Sequence, residues 1–235
     1  MKKYLIAVLT ILIVSCTPTQ KVEVKVVQPA AEGDLPIKNV ILLIGDGMGV
    51  SQVSSSFYFG AKEEPNFTRF PFIGLSRTSS GSHKVTDSAS GATAFASGIK
   101  TYNGAIGMDM NKKPVQTIIE RIEKLNIPTG LIATSSITHA TPACFYAHVK
   151  YRRQEEDIAA QMVNSSVDFF AGGGLKFFKK REDGKNLLPE LEKKGFVVPF
   201  TFKSSFIKFQ KETVRNWRPS YNRYSRDLTQ AYALY

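Results

Sequence analysis

Residues 37–45 (IKNVILLIG) form an almost unbroken β-branched and leucine run that stops at Asp46-Gly47-Met48-Gly49. A continuous apolar run without strict alternation predicts a strand buried on both faces, as in a parallel sheet. The glycines and aspartate straight after it predict a loop at the strand's carboxyl end. Parallel strands need long crossover connections, so helices are expected between this strand and the next. The sequence predicts helices over 50–59, 88–97, 115–125, 142–148, 154–163 and 186–194. It predicts strands over 73–79, 129–134 and 167–170, with another inside 195–199. The expected fold is therefore α/β, a mostly parallel sheet flanked by helices on both faces. Functional residues are expected where such strands end.

The chain ends read differently from this middle. Lys2 and Lys3 precede an apolar run over 4–14, which Ser15 and Cys16 close. A charged start and a short apolar run fit an export signal and are too short for an ordinary membrane span. The last four residues of this segment resemble the bacterial lipoprotein signal, in which the cysteine is lipidated. The expectation is a lipoprotein-type signal over 1–16, a lipid anchor at Cys16 and a polar tether over 17–35. A plain signal with a chance cysteine is the alternative. The implied location is the periplasm or cell envelope, anchored to a membrane. Two cysteines in 235 residues exclude a disulfide scaffold. Cys144 is expected as a small buried hydrophobe. The net charge of +11 can attract acidic or phosphorylated partners. No nucleic-acid motif accompanies it, so no nucleic-acid partner is expected.

Three polar clusters follow strands or open helices. Asp46 lies between glycines, where it can cap the next helix or ligate a metal. A nucleotide loop is disfavoured, because no GxxxxGK[ST] run is present. The second cluster is Val85-Thr86-Asp87-Ser88-Ala89-Ser90-Gly91-Ala92-Thr93-Ala94. Ser88 there falls in a first helical turn, where free N–H groups favour an anion. It reads as a cap or as a nucleophile, and a bound divalent metal is one way to activate it. The third cluster runs from Ser135 through His139 and Thr141 to His148 and Arg152. His139 and Thr141 can face one site, and Arg152 offers a planar fork for phosphate.

The DGMG loop, VTDSASGATA and HATPA-x3-AH-x3-R occur in the order and approximate spacing of the alkaline phosphatase family, which the chain resembles over residues 38–152. The likeness weakens toward residue 198. The resemblance implies phosphate monoester hydrolysis through a phosphoserine on Ser88. It implies that Asp87 orients Arg152, which holds the phosphate. Asp46, Ser88, His139 and Thr141 match metal-binding positions, with zinc and magnesium as the cofactors. His139 stands where family members carry Asp or His, and imidazole suits magnesium poorly. A homodimer is also implied.

Residues 36–200 then correspond to the N-terminal part of an alkaline phosphatase domain, and 201–235 to an atypical tail. That tail has seven Lys and Arg against Glu212 and Asp227. Only His83, His139 and His148 are present, whereas the family draws most zinc ligands from its second half. The expectation is a truncated family member, with a catalytically inactive lipoprotein fragment as the alternative reading. A sulfatase is disfavoured by the lack of a Cys/Ser-x-Pro-x-Arg segment. A phosphodiesterase, and a phosphate binder without chemistry, remain open.

Overall fold

The computed structural model describes residues 37, 39–60, 64–196 and 214–217. The expected signal, Cys16, the tether, residues 197–199 and most of the basic tail lie outside the described residues. None of the described helices is long and apolar enough to cross a membrane. The chain divides into two compact units, Met1–Ile44 with Ser55–Ile73, and Gly45–Ser54 with Gly74–Tyr235.

In the first unit, the apolar run takes no regular secondary structure and joins no ladder among the described residues. Val40 is 87% exposed and Leu43 76%. The expected strand over 73–79 likewise has no ladder partner among the described residues, and Leu75 is exposed. The reason is physical. Apolar composition records a capacity for burial, whereas a strand exists only where a neighbour satisfies its N–H and C=O groups. Helix α1, Val50–Phe59, forms where the sequence predicts it. A 3₁₀ turn follows at Asn66–Arg69.

Val50–Ser54 of α1 and residues 74–79 belong to the second unit, which also holds the remaining elements. Helix α2, Ser88–Ser97, starts at the Asp87 N-cap and stops at Gly98, whose φ of 75° only glycine adopts freely. Ala89, Ala92 and Ala96 bury one side of it, and Ala140 and Ala143 are buried on the adjoining helix α4, Ala140–Ala143. Small side chains on both helices allow close approach. Between them lies the Cys144 thiol, which donates to the Ala89 carbonyl at 3.2 Å. Burial pushes that thiol up to about 12, so it stays uncharged and unreactive at neutral pH.

Helix α3, Ile118–Glu123, is shorter than the expected 115–125. Thr117 and Glu120 form a capping box, which sets the first turn. Val115 is instead held outside the helix by a bond from its N–H to the Gly107 carbonyl at 2.9 Å. Strand β1, Gly130–Ser136, pairs in parallel with β2, Phe169–Gly173. The register shifts between Ile132 and Ser136, a bulge at the carboxyl end of β1. Strand β3, Val214–Trp217, pairs antiparallel on the other side of β2, giving the order β1-β2-β3. No strand was expected there, because the stretch is basic and lacks an apolar run.

The α/β class and the parallel pairing agree with the sequence, but β1 is not buried on both faces, since Ile132 is 71% exposed. Helix α5, Glu155–Val163, carries an acidic first turn and buries Ile158, Ala159, Met162 and Val163. Helices α6, Leu175–Lys179, and α7, Leu188–Lys193, follow β2 and bury Phe178, Leu188 and Leu191. Phe170 stacks on Phe178 with ring centres 6.2 Å apart and meets Phe196 edge-on at 5.5 Å.

Candidate active site

Asp87 is anchored by donors on both of its carboxylate oxygens. Its Oδ1 accepts from the Ser90 N–H at 2.9 Å and from the Ser90 hydroxyl at 3.0 Å. Its Oδ2 accepts from the Gly104 N–H at 3.0 Å and from Arg152 Nη1 at 3.1 Å. Burial pushes the Asp87 carboxyl up, but these donors outweigh it and hold it below the usual aspartate range. Ser90 in turn meets Asn103 Oδ1 at 3.1 Å, tying the helix start to the 103–104 loop.

Ser88 is the first residue of α2 and is half-buried. Its Oγ lies 3.5 Å from Arg152 Nη1. Arg152 sits just before α5, and its N–H donates to the Gly104 carbonyl at 2.8 Å. The same loop glycine therefore fixes both the acid and the backbone of the base. Arg152 Nη2 meets His139 Nε2 at 3.2 Å. A guanidinium only donates, so that ring nitrogen accepts.

His139 occupies the N-cap of α4 with an extended backbone and makes no side-chain cap. Thr141, within α4, donates its hydroxyl to Asp46 Oδ2 at 2.9 Å across 95 residues of sequence. Asp46 is exposed on a turn that Gly47, at φ 68°, makes sterically free. Asp46 and Thr141 are thus brought together. Asp87, Ser88, Arg152 and His139 form a second contiguous group, and α4 joins the two. The ring of His139 is engaged by Arg152, a contact that residue spacing did not suggest.

The donors can be tested against the expected metals. Asp46 and Thr141 supply a carboxylate and a hydroxyl oxygen, which suits a hard cation such as magnesium that keeps several waters. Zinc sites use about three protein ligands of nitrogen, sulfur or carboxylate type. No group of three His, Cys, Asp or Glu that could hold a metal occurs among the described residues. The residues in hand fit magnesium and do not complete a zinc site.

The other two histidines lie elsewhere. His83 Nδ1 meets the Ser82 hydroxyl at 2.7 Å in an exposed turn. His148 bridges the Gly107 carbonyl and Glu120 Oε1, each at 2.8 Å. That pair borders a cavity of about 410 Å³ whose lining includes Tyr146, Gln161 and Asn164 and none of the six candidate residues. Reasoning from sequence missed Ser90, Gly104, Thr138 and Glu155. Their only sequence signals were small polar residues beside the motifs and an acidic helix start, which many helices share.

A family model described as Alkaline phosphatase matches residues 37–215. The chain is 38% identical to alkaline phosphatase 3 of Bacillus subtilis over 193 residues, covering 77% of this chain and 40% of that protein. It is 32% identical to the alkaline phosphatase of Escherichia coli over 198 residues, covering 70% of this chain and 42% of that one. Among solved structures, the alkaline phosphatase of the Antarctic bacterium TAB5 is 53% identical with a TM-score of 0.65, over 68% of this chain and 47% of that one. A mutant of the TAB5 enzyme has Mg bound in its M3 site, with the same TM-score of 0.65. The chain therefore spans about two-fifths of the length of these curated relatives.

Proposed function

The chain belongs to the alkaline phosphatase family, and from that premise we propose that the protein hydrolyses phosphate monoesters through Ser88. The observation that carries this reading is the Asp87–Arg152–Ser88 arrangement, with Arg152 Nη1 3.1 Å from the acid and 3.5 Å from the hydroxyl. The guanidinium fork binds two non-bridging oxygens of the substrate phosphate, and Asp87 keeps the fork aimed. Ser88 Oγ attacks phosphorus as it loses its proton, the bond to the leaving alcohol breaks, and that alcohol takes up a proton. Water then cleaves the phosphoserine to inorganic phosphate, restoring the Ser88 hydroxyl.

Asp46 and Thr141 would hold magnesium, which supplies positive charge beside the site and can activate a bound water. Zinc, expected from the resemblance, needs ligands beyond the described residues. The test is acid-quenched incubation with labelled phosphate, followed by peptide mapping. Label on the Ser88 peptide, lost in Ser88→Ala, supports the reading. Label that survives in Ser88→Ala overturns it.

The sequence at 1–16 supports a second proposal, that the protein is exported and lipid-anchored at Cys16 in the cell envelope. Labelled fatty acid is expected in the wild-type protein and not in Cys16→Ser. Equal incorporation by both would sink the proposal.

A further inference from the structure

We propose that Glu155 is a positioning residue that acts through the buried Thr138 hydroxyl to hold the His139–Thr141 segment in register with Arg152. The proposal rests on the reading of Arg152 as the phosphate-binding group. Thr138 is fully buried, and its Oγ1 donates to Glu155 Oε2 at 2.7 Å. An ionised carboxylate only accepts, so the single Thr138 proton points at Glu155. The neighbouring Ser136 hydroxyl, which also meets Thr138 Oγ1, must then be the donor in that contact. Ser136 Oγ in turn accepts from the Thr138 N–H at 3.2 Å. The result is a one-directional chain from Ser136 through Thr138 to Glu155.

Both Glu155 and Thr138 sit beside site residues. Glu155 opens α5, three positions after Arg152, whose backbone is fixed on Gly104. Thr138 immediately precedes His139, whose N–H donates to the Ser136 carbonyl at 3.0 Å. The loop has little freedom on its other sides. The Ile137 N–H donates to the Gly173 carbonyl at 3.0 Å, and the Ile137 carbonyl accepts from the buried Tyr146 hydroxyl at 3.0 Å. A Cβ on Gly174, at φ 96°, would collide with Ser136 Oγ, so glycine there admits the hydroxyl. The Glu155–Thr138 bond is thus a side-chain tie from the helix that Arg152 precedes to the loop that carries His139 and leads to Thr141. It sets the 3.2 Å contact between Arg152 Nη2 and His139 Nε2.

The experiment compares the full wild-type chain with Thr138→Val, Thr138→Ser and Glu155→Gln, using two readouts. The first is the ring ¹⁵N spectrum of His139 at fixed pH, without added ligand. Wild type should show one tautomer, with Nε2 as acceptor. Thr138→Val should show averaging between tautomers, and Thr138→Ser should restore the wild-type pattern. The second is calorimetric titration with inorganic phosphate, where Thr138→Val should weaken binding by about fivefold to tenfold. Glu155→Gln, which keeps an acceptor, should fall between. A folded Thr138→Val with wild-type His139 signals overturns the proposal. So does a Thr138→Ser no better than Thr138→Val, because a purely structural loss would not track the hydroxyl. If Thr138→Val does not fold, Glu155→Gln decides by the same signals, wild-type ones overturning the proposal. If wild type binds no phosphate, the reading of Arg152 fails, and the His139 spectra still decide the positioning role.

Discussion

Arg152→Ala is expected to weaken binding of inorganic phosphate by roughly 10- to 100-fold, the worth of hydrogen bonds to a charged group. The guanidinium reaches Asp87 with Nη1, at 3.1 Å, and His139 with Nη2, at 3.2 Å, so both arms are oriented before a ligand arrives. Such preorganisation lowers the ordering cost of binding. Arg152→Lys should recover only part of the loss, because an ammonium is a point donor and cannot present two parallel N–H groups. Calorimetric titration with phosphate in the presence of magnesium measures both variants. An unchanged dissociation constant in Arg152→Ala would remove Arg152 from the site.

Asp87→Ala should lower stability by about 2–4 kcal/mol, the largest effect expected of a single change at the site. It removes the N-cap of α2, worth about 1 kcal/mol. It also strips partners from the Gly104 N–H and the half-buried Arg152, and an orphaned donor costs about 1–3 kcal/mol. Asp87→Asn separates the two effects. Its amide oxygen can still accept from Ser90, but its NH₂ group would face the Gly104 and Arg152 donors. The midpoint of urea unfolding is the measurement, and a loss under about 0.5 kcal/mol for Asp87→Ala would contradict the network.

The same carboxylate predicts a pH dependence. Its folded-state affinity for protons lies below the unfolded value near about 4. Its stabilising contribution is therefore complete above that value and is lost as pH falls through the lower, folded one. Asp87→Asn should flatten the acid limb of the stability profile.

Local features were legible where the sequence itself supplies both partners. Asp87 and Ser90 are three residues apart, and the helix runs over Ser88–Ser97 as expected, although its cap is Asp87 and not Ser88, which reads from the sequence as a cap or a nucleophile. The Thr117–Glu120 capping box is equally local, yet it starts the helix at Ile118 rather than at the expected residue 115. The strand expected over 37–45 has no ladder partner among the described residues, and such partners are not near it in sequence. Composition showed an apolar run that can be buried and could not show what would lie beside it. Strand β3 is the converse, since a basic segment without an apolar pattern is paired through backbone groups, which any non-proline residue carries.

At the site, residue chemistry came from the sequence and partnership came from the fold. The motifs around Asp46, Ser88, Thr141 and Arg152 can be picked out by type and order, since few segments place a serine at a glycine- and alanine-rich helix start with an arginine downstream. Only tertiary structure decided that Thr141 meets Asp46 across 95 residues and that His139 turns to Arg152. Those choices depend on distances that chain folding sets, and spacing along the sequence does not encode them. Glu155 shows the limit most clearly. In the sequence it is one of three acidic residues in a helix start, each equally able to favour the helix dipole. The fold alone singles it out, because α5 packs so that its carboxylate reaches the buried Thr138 hydroxyl next to His139.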